Sequence, residues 1–263
     1  MQFIMPGRNA LVTGGSAGLG LAIAETFAKA GANVAITARG AEALEAARAR
    51  IAAGSKGKVI AVAGDVSKAD DCARIFKTAE AELGQVDVLV NNAGTSQRGT
   101  FESISDELWQ FDIDLKLFAA IRLARLALPG MKARRWGRII NVLNTGAKAP
   151  PAEGAPTAVT RAAGMALTKV LAGEGAKHNV LVNGLLVGRI ESDQWVRRHA
   201  AEAAKGSNKT MDAYYAEMGK SLPMGRLGTS QEFANAALFL ASDAGSYING
   251  TAINVDGGLC PVV

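Results

Sequence analysis

The stretch Ala10-Leu11-Val12-Thr13-Gly14-Gly15-Ser16-Ala17-Gly18-Leu19-Gly20 decides the reading of this chain. A short apolar run enters a cluster of glycines, and a helical pattern carrying Leu21, Ile23 and Phe27 leaves it. Glycine permits the tight exit from a strand, and a second glycine lets the backbone approach an anion. The first amides of the helix then point at that anion. Gly14, Gly18 and Gly20 are spaced G-x-x-x-G-x-G, so Gly14, Ser16, Gly18, Leu19 and Gly20 form the expected pyrophosphate cradle. The same residues also spell G-x-S-x-G from Gly14 to Gly18, the nucleophile elbow of a serine hydrolase. That alternative needs a downstream acid and histidine, and His178 and His199 are the only histidines.

Working outward, apolar runs recur at Val34–Ile36, Val59–Val62, Val86–Val90, Ile139–Val142, Val180–Val182 and Ala252–Val255. Their near-continuous apolar character predicts strands buried on both faces, as in a parallel sheet. Helical patterns separate them: Leu44, Ala47 and Ile51 share one face, and Phe233, Ala236, Ala237 and Leu240 another. Such alternation predicts an α/β, Rossmann-type doubly wound sheet of about seven parallel strands with helices on both faces.

The chain has 263 residues, of which 49% are hydrophobic, and no compositional break divides it. One domain spanning 1–263 is expected. No apolar run approaches the ~18–20 residues that span a bilayer, and the N-terminal residues lack a signal-peptide pattern. Cys72 and Cys260 form no paired spacing, so neither a disulfide framework nor a metal site is expected, and a cytoplasmic setting fits. A net charge of +5, with Lys132, Arg134, Arg135 and Arg138 clustered, reads as a solvated helix end rather than a nucleic-acid stripe. The expected partners are a small-molecule substrate and further copies of the chain, with neither nucleic acid nor membrane.

Thr37-Ala38-Arg39 follows the second strand. A carboxylate there would bond the adenosine ribose of NAD, whereas a small Ala38 and a cationic Arg39 suit a 2′-phosphate. NADP(H) is therefore the preferred cofactor, with NAD(H) possible. An Arg39 that is merely solvated beyond a strand end is the alternative.

Together with Asn91-Asn92-Ala93-Gly94 after the fourth strand, these features make the chain resemble the short-chain dehydrogenase/reductase family from about Gly7 to Gly258. The resemblance implies adenine contacts at Asp65 and Val66 and cofactor contacts at Asn92, Ala93 and Gly94. It also implies a nicotinamide clasp in Val187-Gly188-Arg189-Ile190-Glu191-Ser192, through Gly188, Ile190 and Ser192. A substrate lid would cover about 190–222, with Gln97 and Arg98 bordering the substrate. Relatives associate through the helix after Thr157 and the one near Leu115 to Leu128, which implies a homotetramer or dimer.

The resemblance breaks at the chemistry. The family's Asn-Ser-Tyr-Lys set maps onto Asp114, Asn144, Thr157 and Arg161, when Asp114-Leu115-Lys116 is set against Asn-Leu-Lys. An aliphatic hydroxyl cannot repeat the role of a phenol that titrates near 10, and a guanidinium keeps its proton. Arg161 could still fork onto the nicotinamide ribose and face a developing alkoxide, with Asp114 as its matched partner. Asn144 and Thr157 would orient the substrate oxygen, and the proton would come through Thr157 from water or from a lid residue. Tyr214 and Tyr215 are candidates for that residue, although aromatic packing of the lid is the simpler role for both, and Trp195 reads as a pocket wall. The expected function is an atypical hydride transfer between NADP(H) and a carbonyl or alcohol. A weakly active or inactive NADP(H)-binding sensor or partner subunit is the alternative.

Overall fold

The computed structural model describes residues 3–263, apart from the side chains of Asp193, Gln194 and Arg197. Seven strands form the frame: β1 (Asn9–Thr13), β2 (Asn33–Ala38), β3 (Val59–Ala63), β4 (Val88–Asn91), β5 (Gly137–Asn144), β6 (Val180–Val187) and β7 (Ala252–Val255). They lie in the order β3-β2-β1-β4-β5-β6-β7 and every pairing is parallel. The sequence-based sheet is the observed one. The order reverses between β1 and β4, and the crevice at such a switch point opens beyond the strand C-termini.

Alternation along each strand divides the core in two. Val12, Ile36, Val90 and Ile140 face one side, where they meet Phe27 of α1 (Gly18–Lys29), Ile51 of α2 (Ala41–Ala53) and Phe233 of α9 (Ser230–Ala241). Leu11, Ala35, Leu89 and Ile139 face the other. There they meet Ile75 of α3 (Ala69–Leu83) and Leu123 of α5 (Ala119–Arg134), with Ala172 of α6 (Thr157–Gly175) completing the layer. Each fully buried Leu, Ile or Phe contributes about 1.5–3 kcal/mol of transfer free energy, so both helical layers are fastened to the sheet and the strand ends are held still.

α4 (Asp106–Ile113) does not run straight into α5. Asp114–Phe118 form one wider π-type turn between them, a feature that re-aims side chains and recurs at functional sites. α7 (Asp193–Ala203) and α8 (Met211–Gly219) form an excursion between β6 and α9. α9 starts on a capping box in which Thr229 and Glu232 satisfy each other's backbone amides. No helix among the described residues is long and apolar enough to cross a membrane.

Candidate active site

A cleft of about 890 Å³ opens at the C-terminal edge of the sheet, over the switch point between β1 and β4. Gly14, Ser16, Gly18 and Leu19 form one wall, with Asn92, Ala93 and Gly94 beside them. Thr13 stitches the two strand ends together, its Oγ1 donating to Val90 O (3.2 Å) and accepting the amides of Asn92 (2.9 Å) and Ala93 (3.0 Å). The Asn92 side chain donates to Thr13 O (2.9 Å) and so holds the glycine loop down. Gly14 has φ +66°, a left-handed conformation that favours glycine. Gly20 is buried beneath the loop, where a Cβ would overlap Gly14 O and the Asn92 amide, so its role is to let α1 pass close by. Ala17 offers no side-chain cap, which leaves the first amides of α1 to a ligand.

Other expected cofactor contacts have different settings. Arg39 is exposed past the end of β2, outside the cleft lining. The Asp65 carboxylate accepts from the Ser67 amide (3.0 Å) and hydroxyl (2.8 Å). Val66 belongs to the apolar core, so its backbone alone is left for a ligand. Gly188, Ile190 and Ser192 do line the cleft, and a side chain at Gly188 would overlap Asp256.

The reaction end is built by α6 and by the π turn. Thr157, Thr160 and Arg161 share one face of α6 through i, i+3, i+4 spacing. Asp112, completely buried on α4, ion-pairs with the Lys116 ammonium and accepts the Thr160 hydroxyl proton at 2.7 Å. Lys116 Nζ also donates to Thr157 Oγ1 at 2.7 Å, and that oxygen accepts the Gln97 amide at 3.0 Å. Arg161 donates to Val142 O at 2.8 Å and borders the cleft, where the bare Cα of Gly94 gives its guanidinium room. Asn144 ends β5 beside them, and its buried Oδ1 has no protein partner. Two cations thus face a single carboxylate. Burial first, then the Arg161 charge, pulls Lys116 down to about 8 against the opposing pull of Asp112. Burial lowers Arg161 to about 10, again opposed by Asp112, and leaves it protonated at neutral pH.

One expectation is corrected. Asp114 is not the partner of Arg161: its carboxylate pairs with Arg122 (3.1 Å) and accepts from Gln110 (2.7 Å), partly exposed. Residues two apart on a helix point to different faces. Asp112 and Lys116, four apart, point inward together. Setting Asp114-Leu115-Lys116 against a three-residue pattern chose the wrong carboxylate, and the i, i+4 spacing of Asp112 and Lys116 was the signal available in the sequence. Thr157, Asn144 and Arg161 all line the cleft.

The aromatics of the segment between β6 and α9 divide. Trp195 lines the cleft with Arg198 stacked 4.8 Å from its ring. Tyr214 packs on His199 (5.4 Å) and Tyr215 (6.4 Å), and burial and Glu202 hold its phenol above its ordinary range. Packing is therefore the observed arrangement of these tyrosines. His199 bonds Lys209 O at 2.7 Å, and neither histidine lines the cleft with Ser16, which removes the basis for a serine-hydrolase elbow. Among the described residues no His, Cys, Asp or Glu group is arranged to hold a metal.

Residues 14–260 match the family model of enoyl-(acyl carrier protein) reductase. The chain is 34% identical over 256 residues to D-beta-hydroxybutyrate dehydrogenase of Cupriavidus necator, covering 97% of this chain and 98% of that one. L-Sorbose reductase from Gluconobacter frateurii, solved with NADPH and L-sorbose, superposes with a TM-score of 0.95 at 36% identity over 100% of both chains. A NADPH-bound short-chain oxidoreductase from Pseudomonas aeruginosa PAO1, described as containing an atypical catalytic center, superposes with a TM-score of 0.90. It is 36% identical, over 99% of this chain and 100% of that one.

Proposed function

Because the chain belongs to the short-chain dehydrogenase/reductase family, we propose that it is an NADP(H)-dependent oxidoreductase acting on a carbonyl or alcohol through a non-standard centre. The observation that carries this reading is the convergence of Thr157, Arg161 and Asn144 on the cleft wall next to Gly94. The cleft suits a dinucleotide: a glycine turn, an uncapped helix start, and Arg98, Arg161, Arg189 and Arg198 with no carboxylate among its described lining residues. NADP(H) is preferred because Ala38 leaves space and Arg39 supplies positive charge at the end of β2, and because relatives are solved with NADPH.

Gly14, Ser16, Gly18 and Leu19 would hold the pyrophosphate, and Gly188, Ile190 and Ser192 the nicotinamide end, with Asp65 and Val66 near the adenine. The bound cofactor supplies or accepts a hydride at the carbonyl carbon. Arg161 stabilises negative charge on the substrate oxygen without a change in its own protonation. Thr157 and the Asn144 amide orient that oxygen, and Trp195 walls the substrate end beneath a lid spanning about 190–222. The exposed apolar residues Phe118, Leu126, Val159 and Val170 on and beside α5 and α6 support a homo-oligomer, tetramer or dimer. Two free cysteines fit a cytoplasmic setting.

Stereospecific deuteride transfer from labelled NADPH to a panel of ketones, quinones and acyl thioesters tests the proposal. Transfer to one class, lost in Arg161→Ala, is the expected result. Tight NADPH binding with no transfer to any class overturns it in favour of a sensor or partner subunit.

A further inference from the structure

The buried pair Asp112 and Lys116, bonded to Thr157, has no place in the hydride chemistry described so far. A charged ammonium out of water is costly unless it is paired, and a second buried cation beside it raises that cost. Asp112 answers only one of the two cations. An apolar residue would fill the Lys116 position without that penalty, so the arrangement asks for a use.

We infer that Lys116 is the proton reservoir of the reaction, delivering its proton to the substrate oxygen through the Thr157 hydroxyl while Asp112 positions the ammonium. The inference rests on the oxidoreductase reading and names what that reading leaves open, the source of the proton. Three observations carry it. Lys116 is buried away from solvent, yet its Nζ is 2.7 Å from Thr157 Oγ1, and Thr157 borders the cleft. The Thr157 oxygen accepts two donors, Lys116 and the Gln97 amide, so its single proton must point elsewhere. Its protein acceptor, Asp112 Oδ1, lies 3.4 Å away, a weak contact that an oxygen in the cleft outbids. The Thr160 proton, by contrast, is committed to Asp112 at 2.7 Å.

In the reducing direction the carbonyl carbon gains a hydride from the reduced nicotinamide, and negative charge develops on the oxygen. The Thr157 O–H bond breaks towards that oxygen as a Lys116 N–H bond breaks towards Thr157 Oγ1. The products are an alcohol, an intact threonine hydroxyl and a neutral lysine amine, which regains a proton from water in the emptied cleft back through the Thr157 hydroxyl. Oxidation runs the same transfers backwards. After release, Arg161 and Asp112 remain as one cation and one anion, so the spent state is the balanced one. The charged groups facing Lys116 are Asp112 from its own helical segment and Arg161 from α6. The turn after β4 contributes Gly94 and, through Thr157, the uncharged Gln97 amide. A lysine held near 8 is matched to such an exchange.

Two measurements test the relay. In cofactor-free protein carrying ¹³C-labelled lysine, the Lys116 Cε signal, assigned by its loss in Lys116→Arg, titrates near pH 8 while exposed lysines titrate near ~10.4. In deuteride transfer to a ketone, the rate falls about tenfold per pH unit above pH 8. Lys116→Arg, whose guanidinium does not titrate there, loses that limb and slows roughly 100-fold. Thr157→Val slows comparably and keeps the lysine titration, whereas Thr157→Ser retains both limb and transfer. Should Lys116→Arg fail to fold, the Val and Ser variants at position 157 decide. Titration of Lys116 with the bulk lysines, a limb surviving in Lys116→Arg, or full-speed Thr157→Val overturns the relay alone. No deuteride transfer by the unaltered chain overturns the oxidoreductase reading and takes the relay with it.

Discussion

The two halves of the cleft are built from opposite materials. At the nucleotide end the wall is backbone: Gly14 and Gly18 at positive φ, Gly20 pressed under Gly14, and the Asn92 amide holding the loop. At the reaction end it is side chains, with Asp112, Lys116, Thr157 and Thr160 buried together on three helical segments. A backbone cradle tolerates many sequences provided the glycines remain. A buried ionic cluster tolerates few, because each member leaves another unsatisfied when removed. The comparison predicts that the nucleotide end fails by losing affinity and the reaction end by losing stability.

Asp112→Asn probes the contrast most sharply. It leaves Lys116 and Arg161 buried without a counter-charge, and breaking a buried pair in this way costs about 3–5 kcal/mol. Urea unfolding should show that loss. A change under about 1 kcal/mol would mean that water reaches the cluster and that it is not the closed ionic unit described. Gly20→Ala addresses the other half. Its Cβ meets the Gly14 backbone first and the Asn92 side-chain amide that holds the loop next, so the loop must shift, and overpacking of this kind costs about 1–3 kcal/mol. Taken from cofactor binding, that is roughly a 5- to 150-fold rise in the NADPH Kd. Unchanged NADPH titration in Gly20→Ala would break the comparison.

A pH measurement isolates Lys116 within the reaction end. In the unfolded chain a lysine keeps its proton to about 10.5, whereas folding lowers Lys116 to about 8. Below pH 8 both states carry the proton and the cost of burying it is fully felt. Above pH 8 the unfolded state binds the extra proton, so this group makes stability rise with pH, by up to ~1.4 kcal/mol per unit. Cys72, raised to about 11 by burial, acts in the opposite direction once pH passes 9. The clean window is therefore pH 8 to 9, where Lys116→Met should flatten the rise in unfolding free energy. An equal slope in the variant would remove Lys116 as its source.

How much of this was legible in the chain follows the same division. The alternation of Val12, Ile36 and Val90 against Leu11, Ala35 and Leu89 encodes the sheet, because period two decides which face each residue meets. The glycine turn encodes the nucleotide end, because steric demands on backbone show directly as glycine. The reaction end was legible along α6, where Thr157 and Arg161 keep a fixed spacing on one helix, and at Asn144 where β5 ends. Asp112 and Lys116 carry an i, i+4 spacing of their own, but what ties them to the site, their contacts with Thr157 and Thr160, lies 41 to 48 residues away on another helix. The π turn adds an offset that no three-residue match reveals. Long-range pairing of buried charges leaves no periodic trace. Spacing within a single helix does.

Asp114→Ala is the smallest effect and the most pointed check on that lesson. Asp114 and Asp112 are two residues apart, yet the Asp114 pair with Arg122 lies about a quarter exposed on both sides. Solvent screens such a pair, and its loss is worth about 0.2–1 kcal/mol against the several expected at Asp112. The deuteride-transfer rate of Asp114→Ala should stay within about twofold of the unaltered chain, since no group bonded to Asp114 touches Thr157 or the cleft wall. A loss of transfer comparable to that in Arg161→Ala would instead restore Asp114 to the centre. The cation at position 161 would then draw on the outer carboxylate through a rearrangement of the π turn, and the helical-face argument would fail with it.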